Sequence, residues 1–586
     1  MPSGAHPWSA PWSARVPWTR SSASAARPLA VFASPPLENR TELFDNRKAK
    51  GGEFLRKVKT IAKRNKLAYR WDPERGKKEL GPGLLADMCR QLARILRNGP
   101  AACRRRMPRR SSTPAPARRS AGSPVKAGCR FPTNVARNRL QGGAVVALLF
   151  AFAYLLFPTR NYYWDGVSFA IDIEHAQSWR ELFNVHHLLY NFIGYGEYQL
   201  LGSRVRALYL MQWTNCIAGA LLIWLADRLF RSLGVPPWNS AAGAAILGAS
   251  ATFWKFTTDA DSYILANVFL AAAYLALRRS AARGGLLHVC ATMMHQLSAL
   301  FYPVGLALLW RRSRERFWRD AAIYTLVSAG GTLAVYAAAF RLAVHRAPTF
   351  AGWLTFHAKM PFSFDAARNT GWLLLGTGKL FAGGKLSPTA YLAGPVAVAL
   401  LVFAVAGLAH NRRRLLPVLS DWPLLIWVGA YLCFLLVWEP YNTFYRLFYL
   451  APLLACLALA ARATGARPLA FLAAALLCWN FWQFIYPKTQ AASNAPLAFA
   501  LKQRTRWPEG TGVIFGEFVP DLWTISYFNP QVSWIPVEQP DAARVSDYAA
   551  QFARDRRQLY VDWTYLQKTG QSASRFHFQL VEPPPR

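Results

Sequence analysis

The chain has 586 residues, of which 53% are hydrophobic, 14% aromatic and only 17% charged. That length suits about four ordinary soluble domains, but the composition does not, and it points to a protein most of which lies in a membrane. The mean hydropathy of only +0.10 hides this because the charge is segregated. Residues 1–140 hold 31 Lys+Arg against 8 Asp+Glu, a net +23 out of the total +39. The eight cysteines form no Cys-x-x-Cys pair and have no histidine at ligand spacing, which argues against a disulfide framework and a zinc site. Neither a Walker A motif nor a Rossmann glycine fingerprint occurs, so nucleotide-driven transport and dinucleotide chemistry are poorly supported.

Residues 1–40, rich in Pro, Ser, Ala, Trp and Arg, have no apolar run long enough for a signal peptide and read as disordered; 98–135 read alike. Their charge is read as that of a solvated cytoplasmic tail, with no specific nucleic acid expected as a partner. Between them, GGEFLRKVKTIAKRNKLAYRWDPERGK (51–77) and KELGPGLLADMCRQL (78–92) resemble the first and last parts of HicA-type mRNA interferase toxins. In that family a Gly-Ser-His-Gly segment supplies the catalytic histidine. Here Lys77 runs directly into Lys78-Glu79, and no histidine lies between His6 and His175. The resemblance implies a degenerate remnant at 51–92, without toxin activity, inside a basic cytoplasmic segment 1–140.

From Leu140 onward, apolar stretches recur that are long enough to cross about 30 Å of hydrocarbon at about 1.5 Å per residue. They lie near 141–158, 207–227, 238–256, 261–277, 286–310, 320–340, 389–409, 421–438, 446–461 and 468–486. Arginines at 137, 139, 228, 231, 278, 279, 283, 412–414, 462 and 467 fall where an in–out alternation places cytoplasmic turns. The stretch 286–310 breaks the parity, having Arg283 before it and Arg311, Arg312 and Arg314 after it. About 25 residues are too few for two full spans. Two half-length helices are therefore expected to meet at an external tip near Met293–Ser298, with His295 and Gln296 in it. Irregular backbone at membrane depth must be covered by protein or line a cavity.

Counting each half of that hairpin gives about 11 crossings, an amino terminus in the cytoplasm and a carboxyl terminus in the periplasm. The fold class expected is thus a polytopic α-helical membrane protein, with a transmembrane domain at 141–486 and a small C-terminal α/β extracytoplasmic domain at 487–586. In that tail, 510–518, 531–537 and 557–566 read as strands and 541–555 as a helix. Loops 159–206 and 341–388 are expected to be external.

Loop 159–206 concentrates the chemistry: Asp165, Asp172 and Glu174 lie within ten residues, beside Tyr162, Tyr163 and Trp164, and are followed by His186 and His187. On a helix, 165 and 172 share a face and Glu174 points away. A long external loop after span one, carrying an acid and then a His-rich stretch, resembles the layout of GT-C glycosyltransferases, polytopic enzymes that use lipid-phosphate-linked sugars. More narrowly, YYWDGVSFAIDIE…NVHHLLYNFIG is similar to the Trp-Asp…Glu-Phe…His-Pro-Pro…Leu-Tyr pattern of bacterial relatives in the protein O-mannosyltransferase branch. FWKFTTDADSYILANVFLA (253–271), ATMMHQLSALFYPVGLALL (291–309) and NTFYRLFYLAPLLA (442–455) resemble further segments of that branch. The chain departs from it in lacking Pro-Pro after the histidine pair, in having Ser168 for a Glu, and in having Asp261 for a Glu.

The resemblance implies an inverting transferase that moves a sugar from a polyprenyl-phosphate donor to a glycan, lipid or protein acceptor at the outer face of a bacterial inner membrane, among membrane lipids. Such a donor already has a good leaving group, so the protein must mainly deprotonate an acceptor hydroxyl and hold the departing phosphate. Asp165 is the expected base, with Asp172 and Glu174 as secondary acids. Arg446 is the first choice for the phosphate and Lys255 the second; Arg446 reads equally as a residue snorkelling to the interface. His186, His187, Tyr190, Asp261, Tyr263, His295 and Gln296 complete the expected substrate-binding set. The sequence requires no cofactor, and a divalent metal is compatible with it. A transporter or flippase of lipid-linked sugars is the rival reading, which midplane ions would favour; a non-catalytic GT-C-like scaffold is a third.

Overall fold

The computed structural model describes residues 141–201, 204–344, 348–355, 365–383, 416–463 and 465–582. The basic segment with its toxin-like stretch, the span expected at 389–409 and Arg412–Arg414 lie outside the described residues. Among the described residues three helices, Ala207–Ser232, Phe317–Leu342 and Arg467–Lys488, are long and apolar enough to cross a membrane. Shorter apolar helices run over Gly142–Leu156, Tyr263–Leu277, Trp422–Val437 and Phe444–Ala460.

In chain order, α1 is Gln141–Leu156. The loop that follows folds into two helices, α2 (Trp164–His175) and α3 (Tyr190–Leu200). Helix α4 (Ala207–Ser232) has 26 residues, about 39 Å at the usual rise. It turns into α5 (Pro237–Ala249), whose first-turn proline has no N–H to leave unsatisfied. A break at Ser250 separates α5 from α6 (Ala251–Thr257), where the segment 238–256 is expected to be one span. Asn480 donates to the Ala249 carbonyl at this break, at 2.7 Å, and to Phe381 O at 2.6 Å. A buried amide thus satisfies backbone that helix continuity would otherwise have used.

Helix α7 (Tyr263–Leu277) and α8 (Ala281–Met294) form an antiparallel pair, and α8 stops at His295, whose backbone is extended (φ −157°, ψ 126°). A 3-10 turn, Gln296–Phe301, leads into α9 (Tyr302–Arg312). The two ends of this stretch lie beside the same residue. A Cβ on Gly284 would come within 2.3 Å of Leu277, and Arg312 donates to Leu277 O at 2.7 Å. The chain therefore turns back on itself at His295–Phe301, with the bent geometry expected of a half-helix hairpin. The carbonyls freed by the break are capped from the first loop: Leu189 N–H donates to Met293 O at 3.0 Å and His187 Nδ1 meets Met294 O at 3.2 Å.

Next come α10 (Phe317–Leu342), which contains a π-turn at 326–330, then α11 (Phe350–Leu354) and α12 (Ala366–Ala382). Helices α13 (Trp422–Val437), α14 (Leu447–Ala460) and α15 (Arg467–Lys488) close the helical part. The remainder contains α16 (Ala495–Gln503), β1 (Gly512–Phe515), α17 (Pro520–Phe528), β2 (Ser533–Pro536), α18 (Ala542–Arg554), β3 (Leu559–Asp562), α19 (Trp563–Lys568) and β4 (Phe578–Leu580). The strand order is β2-β1-β3-β4. The pairings β1–β2 and β1–β3 are parallel, with Gly512 opposite both Ser533 and Leu559, and β4 runs antiparallel to β3 with Leu580 opposite Tyr560. Every residue of β1 is buried, as a central parallel strand requires. Strands β1, β2 and β3 and the helix 542–554 fall inside the segments so read in the sequence, but the strand expected over 557–566 ends at Asp562, whose side chain caps α19 by accepting Tyr565 N–H; α16, α17 and β4 were not anticipated.

Candidate active site

The site grows from two amides on one face of α4. Gln212 donates to Thr159 O (2.9 Å) and Thr258 O (2.7 Å), and Asn215, one turn on, donates to both Asp259 O and Asp261 O at 2.6 Å. Residues three apart on a helix face the same way, so together they pin the irregular connection 258–262 to the start of the first loop. Asn215 also donates to Tyr190 Oη at 3.1 Å. This connection carries two aspartates that are fully buried, Asp259 and Asp261.

Asp259 forms an ion pair with Lys255, one turn earlier on α6, and accepts Tyr163 N–H at 2.8 Å. Its carboxylate thereby fixes the entry of the chain into α2, whose first turn holds Asp165. Gly166 is required at the next position: an added Cβ would sit 2.2 Å from Ala260 O. The first turn of α2 thus rests directly on the acidic connection. Asp165 has no hydrogen-bond partner among the described residues. Burial, reinforced by the Asp259 carboxylate, pushes its carboxyl up from the usual range to about 7.

The Asp261 carboxylate accepts its neighbour's N–H (Ser262, 2.6 Å), while its Oδ2 is buried with no partner. Tyr163, Tyr263 and Tyr445 converge on this region, and Asp165 and Asp261 interact electrostatically with Tyr163 and Tyr445. The rings of Tyr263 and Tyr445 lie 5.9 Å apart and nearly perpendicular. His295 stands beside both, 4.9 Å from Tyr263 and 5.9 Å from Tyr445. His187 lies 5.0 Å from His295.

His187 Nδ1 faces the Met294 carbonyl at 3.2 Å and the Ser262 hydroxyl, which can donate or accept, at 2.7 Å. His295 Nδ1 accepts Leu297 N–H at 3.1 Å, so in the neutral ring Nε2 is the donor. His186 and Gln296 bind one another (Nδ1···Oε1, 2.8 Å), and Gln296 donates to Val185 O at 3.0 Å. The histidine pair and the broken hairpin therefore grip each other.

Arg446 is fully buried, so it does not snorkel. Its guanidinium donates to Asn442 O, Pro440 O (2.5 Å), Trp372 O (3.1 Å) and Leu373 O (3.4 Å), and it fills the space a Cβ on Gly376 would need. It braces α12 against the turn 439–446, in which Glu439 takes a left-handed φ of 48° ahead of a proline. Burial raises the Glu439 carboxyl, and Glu439 acts on Tyr445 in turn. Asp172 is half-buried on α2, whereas Glu174, at the far end of that helix, points to Arg206 and Tyr527.

Sequence reasoning passed over Asp259, Asn215, Gln212 and Tyr445. The spacing of Lys255 and Asp259, four apart on one helical face, was the signal available for the first of these. Among the described residues no group of three His, Cys, Asp or Glu side chains converges to hold a metal ion.

No protein-family model matches the chain, and no curated protein sequence matches it. Among solved structures it resembles ArnT from Cupriavidus metallidurans bound to undecaprenyl phosphate, with a TM-score of 0.50 and 13% identity over 77% of this chain and 98% of that one. The apo state of the same protein aligns with a TM-score of 0.50 and 12% identity over 74% and 95% of the two chains. An oligosaccharyltransferase from Archaeoglobus fulgidus aligns at 13% identity over 72% and 69%, but its TM-score of 0.39 is too low to support an argument. At such identity the likeness establishes the fold alone: this chain has the fold of the ArnT structures, and its apolar helices fit a multi-pass membrane protein.

Proposed function

We propose that the protein is an inverting glycosyltransferase that moves a sugar from a polyprenyl-phosphate-linked donor to an acceptor at the outer face of a bacterial inner membrane. The observation that carries this reading is the Asp165 carboxyl, without a hydrogen-bond partner among the described residues and raised to about 7, beside Asp259 and Asp261 and among Tyr163, Tyr263 and Tyr445. That placement suits a general base working near neutral pH. The ArnT structure with undecaprenyl phosphate supports the donor class. The motif likeness to the O-mannosyltransferase branch supports a narrower assignment, and 141–486 and 487–586 serve in this reading as catalytic and extracytoplasmic parts.

In the reaction, Asp165 takes the proton of the acceptor hydroxyl as its oxygen attacks the anomeric carbon. The bond from that carbon to the phosphate oxygen breaks in the same displacement, which inverts the centre. Lys255, ion-paired with Asp259 next to Asp165, is the cation assigned to the departing phosphate, ahead of Arg446, whose guanidinium is spread over four backbone carbonyls away from these acids. Tyr190, through Asn215, and His186, through Gln296, shape the site, while Tyr263, His187 and the Nε2–H of His295 line its approach.

The test is purification with native lipid, mass spectrometry for a bound polyprenyl phosphate, and transfer assays of Asp165→Asn. A loss of at least about a hundredfold in turnover with donor still bound is expected. Turnover within a few-fold of the native protein removes Asp165 from the role.

A further inference from the structure

The helix that carries Asp165 is fastened at both ends, and its second fastening comes from the far end of the chain. At its amino end, Gly166 rests on Ala260 O. At its carboxyl end Glu174 accepts from Arg206 Nε (2.7 Å), from Ala207 N–H (2.8 Å) and from Tyr527 Oη (2.6 Å). Arg206 also donates to Tyr527 O at 3.0 Å, and its guanidinium lies 3.8 Å from the centre of the Tyr527 ring. Tyr527 Oη in turn accepts Leu208 N–H, an otherwise unpaired donor in the first turn of α4, at 3.2 Å. Beside this, Phe528 stacks on Tyr162 with centroids 5.7 Å apart, just ahead of Asp165. Tyr527 and Phe528 are the last two residues of α17, so the α/β segment touches both the lead-in to α2, at Tyr162, and its carboxyl end, at Glu174.

We infer that Tyr527, Glu174 and Arg206 form a positioning clamp through which the C-terminal segment sets the placement of Asp165, making that segment part of the catalytic apparatus. The inference rests on the proposed role of Asp165. A helix held at one end swings about that end; an error of about 1 Å in a reacting group costs on the order of a hundredfold in rate. The clamp residues touch no reacting atom and act only through α2.

The experiment is a double-mutant cycle in the full-length protein, using Tyr527→Phe and Asp165→Asn, with Thr564→Val as a control. Tyr527→Phe removes the hydroxyl and keeps the ring beneath Arg206. Thr564→Val weakens the same segment away from the clamp, because Thr564 Oγ1 accepts the N–H groups of Gly516 and Glu517, both at 3.0 Å. The expected result is a fall of about tenfold or more in kcat for Tyr527→Phe with the donor KM unchanged, since positioning acts in the transition state. That fall should vanish in the Asp165→Asn background, and Thr564→Val should lower the unfolding temperature while leaving kcat near native. The clamp is overturned by a native kcat in Tyr527→Phe, by a fall that adds to that of Asp165→Asn, by an equal fall in Thr564→Val, or by a change in KM alone. Asp165→Asn at native turnover overturns the base assignment instead, a result that the single variant reports by itself.

Discussion

At the scale of single residues, the site depends on what burial does to a carboxylate. Asp165 has a usual value of 3.8 and a folded value of about 7, because desolvation and the neighbouring Asp259 both disfavour its charged form. A base must be deprotonated, so turnover is expected to rise as pH passes through about 7 and to level off above it. A pH profile of kcat/KM checks this, and a profile flat from pH 5 to 8 would contradict it. Linkage gives a second, independent consequence. A folded-state value above the unfolded one means that the fold favours the protonated form, so this carboxyl adds no cost below about pH 4 and an increasing cost as pH rises to about 7. Asp165→Asn should therefore raise the unfolding temperature relative to the native protein at pH 8 and leave it unchanged at pH 4.

Elements are held here by buried polar side chains that reach the backbone where helices break. Asn480 at Ser250, Asn215 at the acidic connection and Arg446 at the turn 439–446 each satisfy carbonyls that would be costly to bury alone. The Arg446 brace has a direct consequence. Arg446→Lys keeps the charge but loses the planar fork that serves four carbonyls, and Gly376→Ala pushes a methyl group into the guanidinium. Each is expected to cost about 1–3 kcal/mol, the price of buried acceptors left unpaired. Thermal unfolding in detergent measures it, with donor KM unchanged. A shift in donor KM at unchanged stability would restore the phosphate role first expected for this arginine.

For the whole molecule, the hairpin is expected to set the direction in which the helices after it cross the membrane. Both ends of 281–312 lie beside Leu277, so Ser280 and Ser313 should share a side of the membrane and residues after Lys488 should lie opposite. Reporter fusions at Ser313 and after Lys488 check this, and a periplasmic signal at Ser313 would refute it. The reversal was legible because arginines flank both ends of 286–310 while only about 25 residues lie between them, a conflict between charge and length that a straight span cannot resolve. The break at Ser250 carries no such mark. No proline and no pair of flanking charges marks it, and the compensating amide, Asn480, is 230 residues away.

The same division runs through the site. Composition and periodicity determined that the chain is polytopic, because hydrocarbon admits only apolar helices of sufficient length. Local patterning also marked Asp165, the histidine pair and the hairpin tip, because those residues crowd short stretches next to span ends. Which acids come together was decided only by tertiary structure. Asp259 and Asp261 reach Asp165 because Gln212 and Asn215 on α4 hold two distant loops together. Glu174 proved to face away from these acids toward Tyr527, a partner 353 residues on in the chain. Periodicity says which side of a helix a residue occupies, whereas the partner on that side is chosen by packing among segments far apart in sequence.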